Sequence, residues 1–275
     1  MSLVVVAAAK GTAGVTTTAT ALAAVWPTPA VLADCDPGGG DIALRLRGEG
    51  GGWLAGDRGI VGLAAAARTD PGRLDVDAQL QTAVGGLPVL VGVDSPAQAM
   101  RIGPLWRQVG EALAHAPMDV VADCGRLLPG LPSADLVGQA DLLVLAVRPT
   151  AEAVGHLRHL LAALTEKEDG RPERMHVAVI SDARRHDRGV DQVRGALASA
   201  LPDGVGFGWL AEDASAAAGL AGTPTRGLDR SPLVASARAL AQDLYARAHR
   251  TTAELDHAPT VVDVPPPHVV PAEVG

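Results

Sequence analysis

The first eighteen residues constrain the fold of this chain more than any other stretch. An apolar, valine-rich run over residues 2–9 is too short to span a membrane and predicts a buried parallel β-strand. A turn containing Gly11 and Gly14 ends this run, and a helical pattern of small residues follows from Thr16 to Trp26. Such a turn directs backbone N–H groups and the positive end of a helix dipole to one place. It is therefore a candidate phosphate-binding loop, although a tight turn that binds nothing has the same pattern.

Six further apolar segments of strand length alternate with helical patterns along the chain. The predicted strands cover residues 30–37, 87–93, 118–123, 141–147, 175–181 and 205–210. The predicted helices cover residues 60–68, 76–84, 96–114 (kinked at Pro104), 150–164, 187–201 and 231–250. This alternation predicts an α/β fold with a doubly wound, mostly parallel seven-stranded sheet and helices on both faces. Dense glycine between residues 38 and 59 predicts a mobile loop, in which Trp53 is a candidate exposed anchor.

The composition changes at Thr251. Residues 251–275 contain five prolines and four acidic residues but no Lys or Arg. We therefore expect two parts, a folded domain over residues 1–250 and a proline-rich, acidic, disordered or extended tail over residues 251–275.

Charge and cysteine content disfavour several classes of function. The net charge of −8 and the pI of about 5.4 argue against nonspecific binding to DNA or to anionic membranes as the task of this chain. The two cysteines, Cys35 and Cys124, predict reduced thiols rather than a disulfide framework. The chain has neither an uninterrupted apolar run of membrane-spanning length nor a basic region before its first apolar run. These features predict a cytoplasmic protein without a transmembrane segment.

Three aspartates stand where predicted strands end. Asp34 and Asp36 end the second strand, and Asp123 ends the fourth. In open parallel sheets ligands bind beyond the carboxyl ends of the strands, and Mg²⁺ prefers hard oxygen ligands of this type. Alternatively, each aspartate caps a helix or solvates a loop, which is the commoner role of a single Asp.

The glycine turn resembles the deviant Walker A loop, KGGxGK[ST], of the MinD/ParA family of ATPases, and residues 119–125 resemble the Walker B strand of that family. The resemblance implies ATP and Mg²⁺ as cofactors and a homodimer that forms on nucleotide binding. It also implies that Asp36 and Lys10 are catalytic and that Lys10 reaches the nucleotide of the other subunit. On the same basis, Thr16, Asp34 and Asp123 would hold Mg²⁺, partly through water. The turn residues that would contact nucleotide are Lys10, Gly11, Thr12, Ala13, Gly14, Val15, Thr16 and Thr17.

The chain departs from the family pattern at four positions. Thr12 replaces a glycine, and Val15 replaces the lysine that contacts the β- and γ-phosphates. Ser181 and Ala211 stand where the family has an adenine-contacting asparagine and a proline. A hydrogen bond to a charged group contributes roughly 1.5–3 kcal/mol, so the change at Val15 predicts nucleotide binding weaker by about 10- to 100-fold. We therefore expect weak binding and slow hydrolysis.

Residues 73–77 and 87–92 resemble the CpaE/TadZ pilus-assembly branch, whose members localise type IV Tad pili. This resemblance implies an ATP-gated localisation or assembly factor that acts on a protein partner in a pilus or secretion machine. Two other functions remain open at this point. One is a pseudo-ATPase scaffold without turnover. The other is a chromosome-partitioning ATPase, which the acidity of the chain disfavours because nonspecific DNA binding depends on Lys and Arg contacts to phosphate.

Overall fold

The computed structural model describes residues 1–11, 13–70, 72–128, 130, 133–165 and 174–249. Thr12 and the tail over residues 251–275 lie outside these ranges, so the predictions made for them stay predictions.

Within the described residues, eight strands form one sheet in the order β3-β4-β2-β5-β1-β6-β7-β8. Neighbouring strands are parallel except for β3 and β4. The α/β class and the mostly parallel sheet are thereby confirmed. The strands are β1 (Leu3–Ala8), β2 (Ala30–Asp34), β3 (Gln81–Thr82), β4 (Pro88–Leu90), β5 (Asp119–Arg126), β6 (Leu142–Val147), β7 (Met175–Ser181) and β8 (Gly206–Ala211).

The predicted count of seven strands was wrong by one, and the additional strand is β3. It lies within residues 76–84, for which a helix was predicted, but only the 3₁₀ turn Asp77–Gln79 is helical there. The Gly85-Gly86 pair adopts φ of 94° and 83°, which side chains resist, and Ala83 N donates to Leu87 O at 2.9 Å. This glycine turn reverses the chain, so that β3 pairs with β4 along the edge of the sheet.

Ten α-helices lie in the described residues, and they cover both faces of the sheet. The segment predicted as one kinked helix over residues 96–114 is two helices, because Gly103 at φ 53° and Pro104 interrupt it. The helices are α1 (Val15–Ala24), α2 (Ile42–Arg45), α3 (Ile60–Thr69), α4 (Pro96–Ile102), α5 (Leu105–Ala114), α6 (Ser133–Gln139), α7 (Ala151–Thr165), α8 (His186–Leu197), α9 (Ala214–Leu220) and α10 (Pro232–Ala248). The short helix α2 falls in the region predicted to be a mobile loop.

The core consists of two apolar layers separated by the sheet. Alternate residues of β1 point to opposite faces, so Val5 packs in one layer while Val4 and Val6 pack in the other. Helices α3 to α8 cover the first layer, and α1, α2, α9 and α10 cover the second. Both faces of every central strand are therefore buried, which explains why β1, β2 and β6 read as continuous apolar runs.

Asp119 at the start of β5 ties the amino end of the sheet to two helices. Its carboxylate accepts hydrogen bonds from Ser2 N at 2.7 Å, Trp26 Nε1 at 2.9 Å and Thr28 Oγ1 at 2.9 Å. His249, which follows α10, places Nε2 3.2 Å from Asp119 Oδ1. One carboxylate thus holds the ends of α1 and α10 at the amino ends of the strands, far from their carboxyl ends.

Candidate functional site

The glycine turn lies at the carboxyl end of β1, between β5 and β6. From β1 the chain proceeds to β2 on one side of the sheet, while β6, β7 and β8 lie on the other side. A parallel sheet opens a crevice where its strand order reverses in this way, and ligands bind there. The fold therefore places the turn where a phosphate-binding loop would work.

Gly14 begins α1 in the left-handed conformation, with φ of 83° and ψ of 32°. Glycine adopts this conformation without the strain that a Cβ atom imposes. Its carbonyl accepts hydrogen bonds from the backbone N and the Oγ1 of Thr18, both at 2.9 Å. No side chain caps the first turn of this ten-residue helix in the described part of the chain. Because the first N–H groups of a helix have no partner inside it, this end of α1 is suited to an anion.

Thr16 and Asp123 are in contact across the base of the turn. The Thr16 hydroxyl hydrogen-bonds the Asp123 carboxylate, whose Oδ1 also accepts from Gly125 N at 3.0 Å. Burial, and to a smaller extent the charge of Asp36, raise the pKa of Asp123 to about 6 although the hydrogen bonds from Thr16 and Gly125 act in the opposite direction. A hydroxyl and a carboxylate that share one site at the start of a helix are a suitable oxygen pair for a hydrated Mg²⁺ ion.

Asp34 lies beside Asp123 on the neighbouring strand, in direct register with it. Its Oδ2 accepts from Ile42 N at 3.1 Å, and its buried Oδ1 has no hydrogen-bond partner among the described residues. Burial, and next the charge of Asp123, raise the pKa of Asp34 to about 8. A cation would relieve this repulsion and give the orphaned oxygen a partner, directly or through water.

Two glycines make room for the Asp34 carboxyl. A Cβ atom at Gly40 would overlap its oxygens, and one at Gly92 would lie 2.7 Å from its Cγ. The glycine-rich segment after β2 is thus packed against the acidic side chain. This packing gives a structural reason for part of the glycine content that the sequence suggested was a mobile loop.

Asp36 completes the acidic cluster at its more accessible side. Its Oδ1 accepts from Gly38 N at 2.7 Å, and burial is the main cause that raises the pKa of this half-buried carboxyl. Gly125, at φ 57°, lies against it, and a Cβ atom there would overlap the carboxylate. Asp36 therefore keeps a partly open position in which a carboxylate could orient a water molecule.

The surroundings of Lys10 differ from those of the three carboxylates. Its side chain is exposed at the end of β1. The pKa of the exposed Glu152 is lowered first by its own backbone amide and the Thr150 hydroxyl, and then by the charge of Lys10. Lys10 is thus exposed, and it lies near enough to Glu152 at the start of α7 for its charge to act there.

Val15 is buried, although the resemblance gives its position to a lysine that contacts phosphate. Its side chain is only 8% exposed and belongs to the same apolar layer as Leu22 and Val144. Ala13 is buried in that layer too, while Gly11 is exposed and Thr17 half-buried. The contribution of Val15 to a bound phosphate is therefore limited to its backbone.

An open pocket of about 450 Å³ lies beside the turn, at the carboxyl ends of β7 and β8. Ile180 connects the two regions, because it lines the pocket and lies opposite Gly14. Ser181 also lines the pocket, but its buried Oγ accepts from Trp209 Nε1 at 3.1 Å. Ala211 is buried, and its N–H donates to Ser236 Oγ at 2.9 Å. The two predicted base-side positions thus lie together on neighbouring strands, where the Ser181 hydroxyl accepts from Trp209 and the Ala211 N–H donates to Ser236.

The sequence reasoning noted the basic cluster at Arg184 and Arg185 but missed the ion pair of this pocket. Arg148 and Glu212 form an ion pair of 2.6 Å across its mouth, and Asp182, Arg184 and Arg185 line the same space. The signal that could have found Arg148 and Glu212 is their position just after the predicted strands 141–147 and 205–210, at the carboxyl edge of the sheet where ligands bind.

The part of the chain that the structure describes contains no group of three or more His, Cys, Asp or Glu side chains arranged to hold a metal by themselves. The donors at the turn therefore suit a cation that takes its remaining ligands from water and from a bound phosphate, which is the usual coordination of Mg²⁺.

Cys35 and Cys124 are free, buried and hydrogen-bonded to each other next to the aspartates. No helix of the described part is long and apolar enough to cross a membrane.

The fold is shared with solved ATPases of the MinD and ParA type. A ParA family ATPase from Chlorobium tepidum superposes with a TM-score of 0.66 at 17% identity, over 88% of this chain and 98% of that one. MinD complexed with Mg-ADP, from Pyrococcus horikoshii, gives 0.61 at 16% identity, over 88% and 95%. The ATP complex of a Cyanothece McdA variant gives 0.63 at 13% identity, over 90% and 96%.

The sequence itself matches no family model and no curated protein. The likeness therefore establishes that this chain has the fold of the solved MinD and ParA ATPases.

Proposed function

We propose that this chain is a MinD/ParA-like nucleotide-binding protein that acts as an ATP-gated localisation or assembly factor. One observation carries the proposal. The open start of α1, the Thr16 hydroxyl and the carboxylates of Asp34, Asp36 and Asp123 meet at the carboxyl ends of three adjacent strands. Two of the solved structures with this fold contain Mg-ADP or ATP, which supports the same ligands here.

Each part of such a nucleotide-binding site can be assigned to described residues. The backbone N–H groups at Gly14 and the start of α1 would hold phosphate, and Thr16, Asp34 and Asp123 would hold Mg²⁺, partly through water. The ion supplies charge neutralisation and orientation of phosphate oxygens. Asp36 would orient the attacking water, since its carboxylate is the most accessible of the three. The pocket at Ser181 and Ala211 would receive the base.

We propose that binding is weak and hydrolysis slow. Val15 supplies no charge to the phosphates, because it is an apolar side chain buried in the core. The hydroxyl of Ser181 is already bound to Trp209, so recognition of the base is loose. The buried Val15 equally favours the second candidate function, a scaffold of the same fold without turnover.

The finer assignment follows the sequence resemblance. We propose a cytoplasmic protein whose folded domain spans residues 1–250, with residues 251–275 as a tail, and which localises a protein partner in a Tad-type pilus machine. The protein would form a homodimer on nucleotide binding, in which the exposed Lys10 reaches the nucleotide of the second subunit. The MinC:MinD complex of Aquifex aeolicus, which shares the fold, supports a role exercised through a protein partner.

The dimer provides the test that separates a switch from a scaffold. We expect light scattering to show a doubled mass for the wild-type chain when Mg-ATP is added, and a monomer without it. Lys10→Ala should remain monomeric with Mg-ATP yet fold normally, because an exposed lysine contributes little to the core.

Lys10→Arg, which keeps the charge, is the matched control and should retain part of the dimerisation. If the masses of all samples were identical with and without Mg-ATP, the switch would be rejected in favour of the scaffold.

A further inference from the structure

An exposed apolar surface lies beyond the β3 edge of the sheet, and the proposed function does not use it. We call it the Trp53 patch, and it consists of Arg47, Trp53 and Val84. Trp53 is 61% exposed and Val84 63% exposed, although both are large apolar side chains. Arg47 contacts both residues. It pairs with Trp53 in a β-bridge and places its guanidinium over the indole ring. Its carbonyl accepts a hydrogen bond from Val84 N at 2.8 Å. The loop is therefore folded around an aromatic side chain that it leaves in solvent.

The Trp53 patch lies at the end of the sheet where the described chain stops. Ala83, next to the patch, is hydrogen-bonded to Leu87, which comes just before β4. The registers of β4 with β2 and of β2 with β5 place Leu87 at the same height in the sheet as the start of β5. His249 is held at the start of β5 by Asp119. The residues that flank the patch, Leu46 and Leu54, pack in the same apolar layer as α10. Val84 continues β3, three strand spacings from β5, and the bridges to Arg47 and Trp53 add up to two more spacings. The distance from the start of β5 to the patch is therefore roughly 15–25 Å.

We propose that the Trp53 patch is the docking site of this chain's own proline-rich segment, residues 259–271, in an extended conformation. That segment contains five prolines and five valines, and it has no Lys or Arg. Extended proline-rich segments dock on exposed aromatic side chains, because their backbone loses little conformational entropy on binding. Asp263 lies within the segment and complements the positive charge of Arg47. A Trp ring flanked by an aliphatic side chain and a guanidinium matches this chemistry.

The length of the connecting chain allows this contact within one molecule. Residues 250–258 separate His249 from Pro259. In an extended conformation of about 3.1 Å per residue they span up to about 28 Å, which exceeds the distance to the patch. A short linker raises the effective concentration of the segment to the millimolar range, so even a weak intrinsic affinity keeps the patch mostly covered. The proposal does not depend on nucleotide binding.

A spin label in the segment provides a direct test in the full-length chain. His268→Cys would carry the label, while the native Cys35 and Cys124 are buried and stay unlabelled. The indole N–H signals of the four tryptophans are recorded by NMR, with Trp53 assigned from Trp53→Phe. We expect strong broadening of the Trp53 signal and little change at Trp106, which is buried on the opposite face of the sheet. Absence of broadening at Trp53 would overturn the proposal.

Two comparisons identify the occupant and the surface. If the label broadens Trp53 of a different, unlabelled chain in a mixture and the effect disappears on dilution, a second copy is the occupant and the proposal is wrong. Arg47→Glu should reduce the broadening at least threefold, because it repels the acidic segment. Met100→Ser, on an exposed apolar residue of α4, is the matched control and should leave the broadening unchanged. Equal broadening in all these variants would exclude the patch.

Discussion

The buried residues of the candidate site differ in how well their surroundings suit them. Asp34 and Asp123 are buried carboxyls whose pKa values are raised because burial disfavours their charge, and Asp34 has one oxygen without a partner in the described part of the chain. Val15, by contrast, is a well-packed aliphatic side chain. The site therefore contains groups that suit a metal ion and phosphate, whereas the side chain of Val15 can only pack in the apolar core. This contrast is the physical basis for expecting weak nucleotide binding.

Val15→Lys tests that contrast directly. The new ammonium group would supply a charged hydrogen bond to phosphate, so the affinity for Mg-ATP should rise by about 10- to 100-fold. Without nucleotide the same variant should be less stable than the wild type, since a lysine replaces a buried valine. Calorimetric titration measures the first effect and urea unfolding the second.

Val15→Met is the matched control for that variant, because it has similar length and no charge. Its affinity for Mg-ATP should stay at the wild-type level. Equal affinities of the lysine and methionine variants would contradict the role assigned to Val15.

At the scale of elements, the close approach of α10 to β8 depends on glycine. A Cβ atom at Gly208 would lie 2.5 Å from Leu240 Cδ1 of α10 and 2.8 Å from His176 Nε2 of β7. A Cβ atom at Gly206 would overlap the other ring nitrogen of His176. The helix can cover the last strand only because these positions carry no side chain, and the covered strand leads directly to the pocket at Ala211.

Gly208→Ala should therefore destabilise the fold by roughly 1–3 kcal/mol, because the added methyl group overpacks the contact between β8 and α10. Gly155→Ala is a matched control within α7, where nothing lies within 4 Å of the added Cβ atom. It should stabilise the chain by about 0.5–1 kcal/mol, since alanine favours helix interiors over glycine. Urea unfolding at equilibrium measures both changes, and similar effects of the two substitutions would contradict the packing argument.

At the scale of the whole molecule, stability depends on buried groups whose pKa values shift in opposite directions. Burial, aided by the charge of Arg247, lowers the pKa of His176 to about 3 from the usual 6.5, and both ring nitrogens lack a hydrogen-bond partner in the described chain. Asp243 Oδ2 lies 3.6 Å from His176 Nδ1. For Asp119, burial raises the pKa, but the hydrogen bonds from Trp26, Thr28 and Ser2 outweigh burial and lower it. Asp34 has the opposite shift, to about 8.

His176 predicts a loss of stability in mild acid. Below pH 6.5 the unfolded chain binds a proton at this histidine, while the folded chain keeps the ring neutral until about pH 3. Between about pH 7.5 and 5 this difference lowers the free energy of unfolding by about 2 kcal/mol. His176→Leu removes the titrating group and keeps an apolar side chain in the site.

The difference in the free energy of unfolding between the wild type and His176→Leu should therefore fall by about 2 kcal/mol as the pH decreases from about 7.5 to 5. This difference cancels the contributions of Asp34, Asp119 and Asp123, which both proteins share. Urea unfolding at several pH values measures it. Parallel pH profiles for the two proteins would show that His176 does not carry the effect.

Predictions from the sequence succeeded where structure depends on local patterns. Apolar runs bounded by glycine or by charged residues identified every strand except β3, since strands buried on both faces need such runs. The rule that parallel strands end at one edge of the sheet then brought Asp34 and Asp123 together, and the structure places them in register. The sequence by itself thus determined the fold class and the identity of the acidic cluster.

Only the tertiary structure decided how each side chain at the site is surrounded. The ion pair of Arg148 with Glu212 and the burial of His176 both depend on residues far apart in the chain. The raised pKa of Asp34 likewise depends on Asp123 and on Gly40 and Gly92, which pack against it. A local pattern carries no information about such partners, because burial and charge coupling arise only when separate elements pack together.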